Sequence, residues 1–176
     1  IGKGLSGGYL PLAATLTTEA VYKRFLGRRS EQKTFFHGHT FTGNPLGCAA
    51  ALASLAVFRE ERVLESLPIK IAALAERLSE QFAQHPNVHE IRRCGLMVGI
   101  ELGRDRERPF SPELAVGARV CEQLRSHGVN LRPLGDVVVL MPPLSITRDE
   151  LHLLVDATRQ ALDEVVAALT PEEPAA

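Results

Sequence analysis

The segment Gly2-Lys3-Gly4-Leu5-Ser6-Gly7-Gly8 sets one lysine among four glycines. A lysine that does Schiff-base chemistry must present a free amine at a defined point, and glycines let the backbone bend sharply around it. Burial or a nearby cation lowers the pKa of such an amine and makes the neutral nucleophile accessible. The same residues also suit a solvated lysine on a flexible turn, or one that holds a phosphate. No Walker order of Gly-Lys-Ser/Thr is present. The densest polar cluster is His37-Gly38-His39-Thr40 followed by Thr42-Gly43-Asn44-Pro45. Threonine hydroxyls and glycine N–H groups ahead of a helix form a natural phosphate cradle. Two histidines at i, i+2 could instead ligate a metal. No carboxylate or cysteine stands at ligand-like spacing, so no metal is expected. Arg132 precedes Pro133, which pushes its backbone to the extended region. An arginine at a strand end can fork onto a carboxylate, or serve simply as a surface residue on an edge. Arg92 and Arg93 have no feature that raises them. His85, His89, His127 and His152 read as solvated, and Cys48 as a small buried hydrophobe.

These residues need elements to hold them. Residues 9–16 are short and apolar and read as a buried strand. Thr17 or Thr18 can cap a helix running to about Leu26, ahead of a charged loop from Arg28 to Lys33. Residues 34–45 have neither a helix nor a strand period. Pro45 to Phe58 is a helix of small residues, expected to be buried on most sides. Ile71, Leu74, Leu78 and Phe82 predict an amphipathic helix ending at Pro86-Asn87, with Pro68 kinking it or standing in its first turn. Val88 to Leu102 reads as a hairpin bent near Arg93-Cys94-Gly95, with Leu96, Val98, Ile100 and Leu102 on one face. Ser111-Pro112 starts a helix that stops at Gly128. Strands are expected at Val129–Arg132 and Val137–Met141. Thr147 and Glu150 form a capping box for a last helix to about Leu169. Alternating strands and helices make this an α/β chain.

The 176 residues carry 20 Lys plus Arg against 21 Asp plus Glu, a net charge of −1. That balance excludes a generic nucleic-acid backbone binder. A hydrophobic content of 45% and a charged content of 23% are those of a folded globular chain. No apolar run approaches the roughly 20 residues that cross a bilayer. Three scattered cysteines form neither a disulfide framework nor a metal cluster, so a cytoplasmic setting is expected. The chain opens on Ile1 without the features of a signal peptide, and reads as the C-terminal part of a longer protein.

Taken in order, Gly2 to Leu12 and Thr34 to Leu46 closely resemble the class III pyridoxal-phosphate aminotransferases, and within them the biotin-pathway branch. Gly95-Leu96-Met97-Val98-Gly99-Ile100-Glu101-Leu102 matches more generally. So does Leu131-Arg132-Pro133-Leu134-Gly135-Asp136 ahead of Leu140-Met141-Pro142-Pro143. The resemblance implies the C-terminal part of a fold-type I, PLP-dependent transferase. Residues 1–58 would end the large cofactor-binding domain, 59–170 would form the small domain, and 171–176 a flexible tail. It implies a homodimer with its active site at the subunit interface. Lys3 would hold pyridoxal 5'-phosphate covalently and act as the catalytic base. His39 and Thr40 would meet the cofactor phosphate in the partner subunit's site. Gly38 would line the substrate pocket, and Arg132 would bind the carboxylate of 8-amino-7-oxononanoate. The amino donor would be S-adenosylmethionine or lysine. Some members carry an aromatic residue where Val138 and Val139 stand here. The family's pyridinium-binding Asp, its ring-stacking aromatic and its Gly/Ser phosphate donors lie upstream of the lysine, so the resemblance implies no transamination by these residues alone. The other functions the residues allow are those of a different class III enzyme, of ω-amino acid or aminomutase type, and of a non-catalytic dimerisation module.

Overall fold

A computed structural model of the chain describes residues 1–169. The tail expected to be flexible, 171–176, lies outside the described residues. The chain divides into two compact units, Ile1–Val63 and the residues from Leu64 on.

The first unit is built around short pieces. A single 3-10 turn, Lys3–Ser6, follows Gly2. The run 9–16 is irregular, not a buried strand, and Tyr9 and Leu16 are 88% and 75% exposed. A strand needs a neighbour for its N–H and C=O groups, and no described strand pairs with this run. Thr18 does cap a helix, accepting from the Val21 N–H at 3.4 Å. That helix, α1 (Glu19–Tyr22), lasts one turn and tightens into a 3-10 turn over Lys23–Phe25. Helix α2 (Pro45–Glu60) has Asn44 as its cap and Pro45 in its first turn. Only Gly47 and Ala51 on it are buried, while Leu46, Leu52 and Leu55 are exposed. This corrects the expectation of burial on most sides. Small residues permit close approach but supply little apolar area of their own to hold a neighbour.

The second unit has a conventional core. Helix α3 (Val63–Phe82) carries Pro68 in its interior and buries Ala73, Leu74, Leu78 and Phe82. Strands β1 (Val88–Cys94) and β2 (Met97–Leu102) form the expected hairpin. Cys94 pairs with Met97 across Gly95-Leu96, and Gly95 takes the left-handed backbone the turn requires, φ 62°. Val98, Ile100 and Leu102 all point into the core. After β2 come α4 (Val116–Gln123), β3 (Pro133–Leu134), β4 (Val137–Leu140) and α5 (Arg148–Ala167). The sheet order is β1-β2-β4-β3, antiparallel throughout. Helices α3, α4 and α5 contribute to one apolar cluster with it, including Leu74, Val120, Val138, Leu151 and Leu162. The capping box at α5 is present. Thr147 Oγ1 accepts from the Glu150 N–H at 3.2 Å, and Glu150 Oε2 accepts from the Thr147 N–H at 2.7 Å.

Three local expectations are corrected. Ser111-Pro112 starts only a 3-10 turn, Pro112–Leu114, and Ala115 then turns left-handed (φ 46°) before α4. The Ser111 hydroxyl is spent on Glu113, and the first turn of α4 is capped from elsewhere in the fold. Val129–Arg132 is not a strand. Gly128 closes the helical segment in the left-handed region, and the Val129 N–H donates to Leu124 O at 3.0 Å. Pairing with β4 begins only at Pro133. Finally, His85 is buried, 3% exposed, and His127 is half-buried against Glu164 at 3.0 Å. Neither is solvated as the sequence predicts, and both pair with carboxylates presented by α5.

Candidate active site

Lys3 sits on a closed loop. The Ala14 N–H donates to Ile1 O at 2.8 Å, which brings residues 1 and 14 together at the base. Inside the loop, the buried Ser6 hydroxyl donates to Leu10 O at 2.5 Å. The Leu5 and Gly7 N–H groups donate to Gly2 O and Gly4 O. Lys3 itself has a left-handed backbone, φ 44°, uncommon for a residue with a side chain. Its side chain is exposed and bonds to none of the described residues. Helix α2 packs against this turn. Gly47 faces Leu12, and a Cβ there would make ordinary contact, 3.6 Å from Leu12 Cδ1.

Gly38, His39 and Thr40 lie on the irregular segment before α2. The His39 N–H donates to Thr42 Oγ1 at 3.1 Å, and the Thr42 N–H returns to His39 O at 2.9 Å. His39 Nδ1 accepts from the Phe41 N–H at 3.2 Å. In the neutral ring this places the proton on Nε2, which is left as an outward donor. The Thr40 hydroxyl has no partner among the described residues. Gly38 is exposed, and a Cβ on it would meet nothing within 4 Å.

Asn44 Oδ1 accepts from the Leu46 and Gly47 N–H groups at 2.9 and 3.2 Å. The first free amides of α2 are therefore already taken. Any phosphate donors on this segment come from its loop and side chains, not from the helix end. Sequence reasoning passed over Asn44, although an Asn directly before a Pro at the first helical position is a legible cap. No hydrogen bond joins Lys3 to the 38–40 segment. Arg132 lies in the second unit, exposed, directly before β3, and its side chain bonds to none of the described residues.

Lys3 offers an amine, and the separate 38–40 segment a hydroxyl, that bond to none of the described residues. Among the described residues, no group of three or more His, Cys, Asp or Glu could hold a metal. No described helix is long and apolar enough to cross a membrane.

The family model for class-III aminotransferases matches residues 1–162. The chain belongs to the class-III aminotransferases. This aminotransferase chain is 52% identical over 167 residues to the adenosylmethionine-8-amino-7-oxononanoate aminotransferase of Geobacter sulfurreducens, an alignment covering 94% of this chain and 37% of that protein. It is 56% identical over 164 residues to the protein of the same description in Nitratidesulfovibrio vulgaris, covering 92% of this chain and 30% of that protein. The crystal structure of the adenosylmethionine-8-amino-7-oxononanoate aminotransferase from Methanocaldococcus jannaschii matches with a TM-score of 0.87 at 47% identity, over 93% of this chain and 37% of that one. The aminotransferase chain thus spans about a third of the length of the relatives it matches.

Proposed function

We propose that this chain belongs to a homodimeric, cytoplasmic enzyme that transfers an amino group to 8-amino-7-oxononanoate, giving 7,8-diaminononanoate for biotin synthesis. The amino donor is S-adenosylmethionine or lysine. The carrying observation is the Lys3 amine, which bonds to none of the described residues, in a chain about half identical to relatives of that description. Three free cysteines suit a reducing compartment.

Pyridoxal 5'-phosphate, when bound, supplies the electron sink that transamination requires. Lys3 would hold it through Nζ. The same amine, when free, would take and return the proton at the substrate carbon that gains or loses nitrogen. Thr40 Oγ1 and His39 Nε2–H would donate to the phosphate of the cofactor held in the partner subunit's site, and a dianion strengthens both bonds. Arg132 would bind the remote substrate carboxylate through two parallel N–H groups. Gly38 would line the substrate pocket, where it presents backbone and no side chain.

The test is an assay of the full-length protein with 8-amino-7-oxononanoate and each donor in turn, quantifying 7,8-diaminononanoate. Formation of the diamine with one donor supports the reading and names the donor. Transfer to ω-keto acids or aldehydes without transfer to 8-amino-7-oxononanoate replaces it with a different class III activity. No transfer and no cofactor absorbance would leave a non-catalytic module.

A further inference from the structure

The segment around Arg132 is tethered upstream to the 3-10 turn that follows α4 and downstream to the first turn of α4. On the upstream side, Gly128 ends the helical extension and the Val129 N–H donates to Leu124 O at 3.0 Å. On the downstream side, Asp136 Oδ1 accepts from the Gly117 N–H at 2.8 Å, in the first turn of α4. That first turn has no cap of its own, because Ala115 precedes it and offers no acceptor side chain. The Asp136 carboxylate therefore satisfies an orphan amide and stands at the positive end of the helix. The Asp136 carbonyl also accepts from the Leu102 N–H at 2.9 Å, which holds the same residue to the end of β2.

The approach is close enough to require glycine. A Cβ on Gly117 would lie 2.3 Å from Gly135 O and 2.9 Å from Asp136 Cα. Strand β3, which follows Arg132 directly, has two residues and one neighbour, β4, through Pro133–Val138 and Leu134–Val137. Two pairs alone define a register weakly.

From this we infer that Asp136 is a positioning residue for Arg132, holding the β3–β4 turn on α4 so that the guanidinium is presented in one place. The inference rests on the reading of Arg132 as the carboxylate site. Loss of the acceptor leaves a buried Gly117 N–H unpaired and frees the turn. A guanidinium that must form two parallel bonds is sensitive to such displacement.

The experiment compares full-length Asp136→Ala, Asp136→Asn and Arg132→Ala with the parent enzyme, on 8-amino-7-oxononanoate and on its methyl ester, which lacks the charge. Asp136→Ala should raise KM for the acid roughly tenfold with kcat little changed, and leave the ester nearly unaffected. Asp136→Asn, whose amide oxygen still accepts from Gly117, should restore the parent values. An unchanged KM for the acid in Asp136→Ala overturns the inference, and so does an equal loss on acid and ester. If Asp136→Ala gives no folded enzyme, Asp136→Ser, too short to span to Gly117, makes the same comparison. Arg132→Ala separates the two levels. If it leaves the preference for acid over ester intact, the carboxylate reading of Arg132 fails. If it abolishes that preference while Asp136→Ala does not touch it, only the role of Asp136 fails.

Discussion

His85 Nε2 lies 3.0 Å from Asp163 Oδ1, joining the residues just after α3 to α5 inside the second unit. The ring is held at both nitrogens, because Nδ1 accepts from the Asn87 N–H at 3.0 Å. Arg159 completes the group: its Nε donates to Asp163 Oδ2 at 2.7 Å and its Nη1 to Gln81 O at 2.6 Å. Burial holds the His85 pKa below the ordinary histidine value, the Asp163 hydrogen bond opposes this, and the Arg159 charge adds to the lowering. The folded state thus favours the neutral ring.

Stability should therefore fall as pH drops. Below about 6.5 the unfolded chain takes up a proton that folded His85 resists. The loss grows until pH passes below the folded-state pKa, and then levels. Thermal midpoints measured from pH 8 to pH 5 should decline, and His85→Gln should flatten that decline. An unchanged slope in the variant would assign it to other groups.

Lys3 should be the residue that borohydride labels in the full-length, cofactor-loaded protein. Peptide mapping after reduction should place the label on the Gly2–Gly8 segment. Lys3→Ala should lower kcat by at least about a thousandfold while leaving the fold intact. The residue is exposed and bonds to none of the described residues, so its removal breaks no interaction there.

Two helical glycines should respond oppositely to alanine. At Gly47 an added Cβ makes ordinary contact, 3.6 Å from Leu12 Cδ1, so Gly47→Ala should gain roughly 0.5–1 kcal/mol of helix propensity. At Gly117 the added Cβ meets a backbone oxygen at 2.3 Å, so Gly117→Ala should cost about 1–3 kcal/mol. Urea midpoints of the two variants against the parent measure both signs. Gly47→Leu, which must displace Leu12, should lose what Gly47→Ala gains.

Thr40→Val removes the hydroxyl and keeps the volume. Fluorescence titration of apoenzyme with pyridoxal 5'-phosphate should show affinity weakened by about 10–100-fold, the range for one hydrogen bond to a charged group. Thr42→Val should act indirectly and less, because Thr42 Oγ1 is committed to the His39 N–H. Equal losses in the two variants would remove Thr40 from the phosphate.

The sequence by itself determined what local chemistry and periodicity encode. The Thr147–Glu150 box, the Thr18 cap and the Gly95 hairpin are each written within four residues, and each is present. The alternation from Leu96 to Leu102 chose the buried face of β2 before any neighbour was known. The order of the Lys3 and His39-Thr40 segments was enough to place the family. Only the tertiary structure decided what distant residues do to one another. Residues 9–16 carry a strand's composition, yet no strand among the described residues pairs with them. α2 carries a helix made for close approach, yet uses one side of it. His85 and His127 are polar to any sequence reading, and become partly or wholly buried because carboxylates 78 and 37 residues away reach them. The start of α4 belongs to the same class. Ser111 and Pro112 favour a start locally, but a carboxylate 19 residues beyond Gly117 supplies the cap that sets the helix. Propensity acts over a turn, whereas the cost of an unpaired buried amide is met by whichever acceptor the fold brings near.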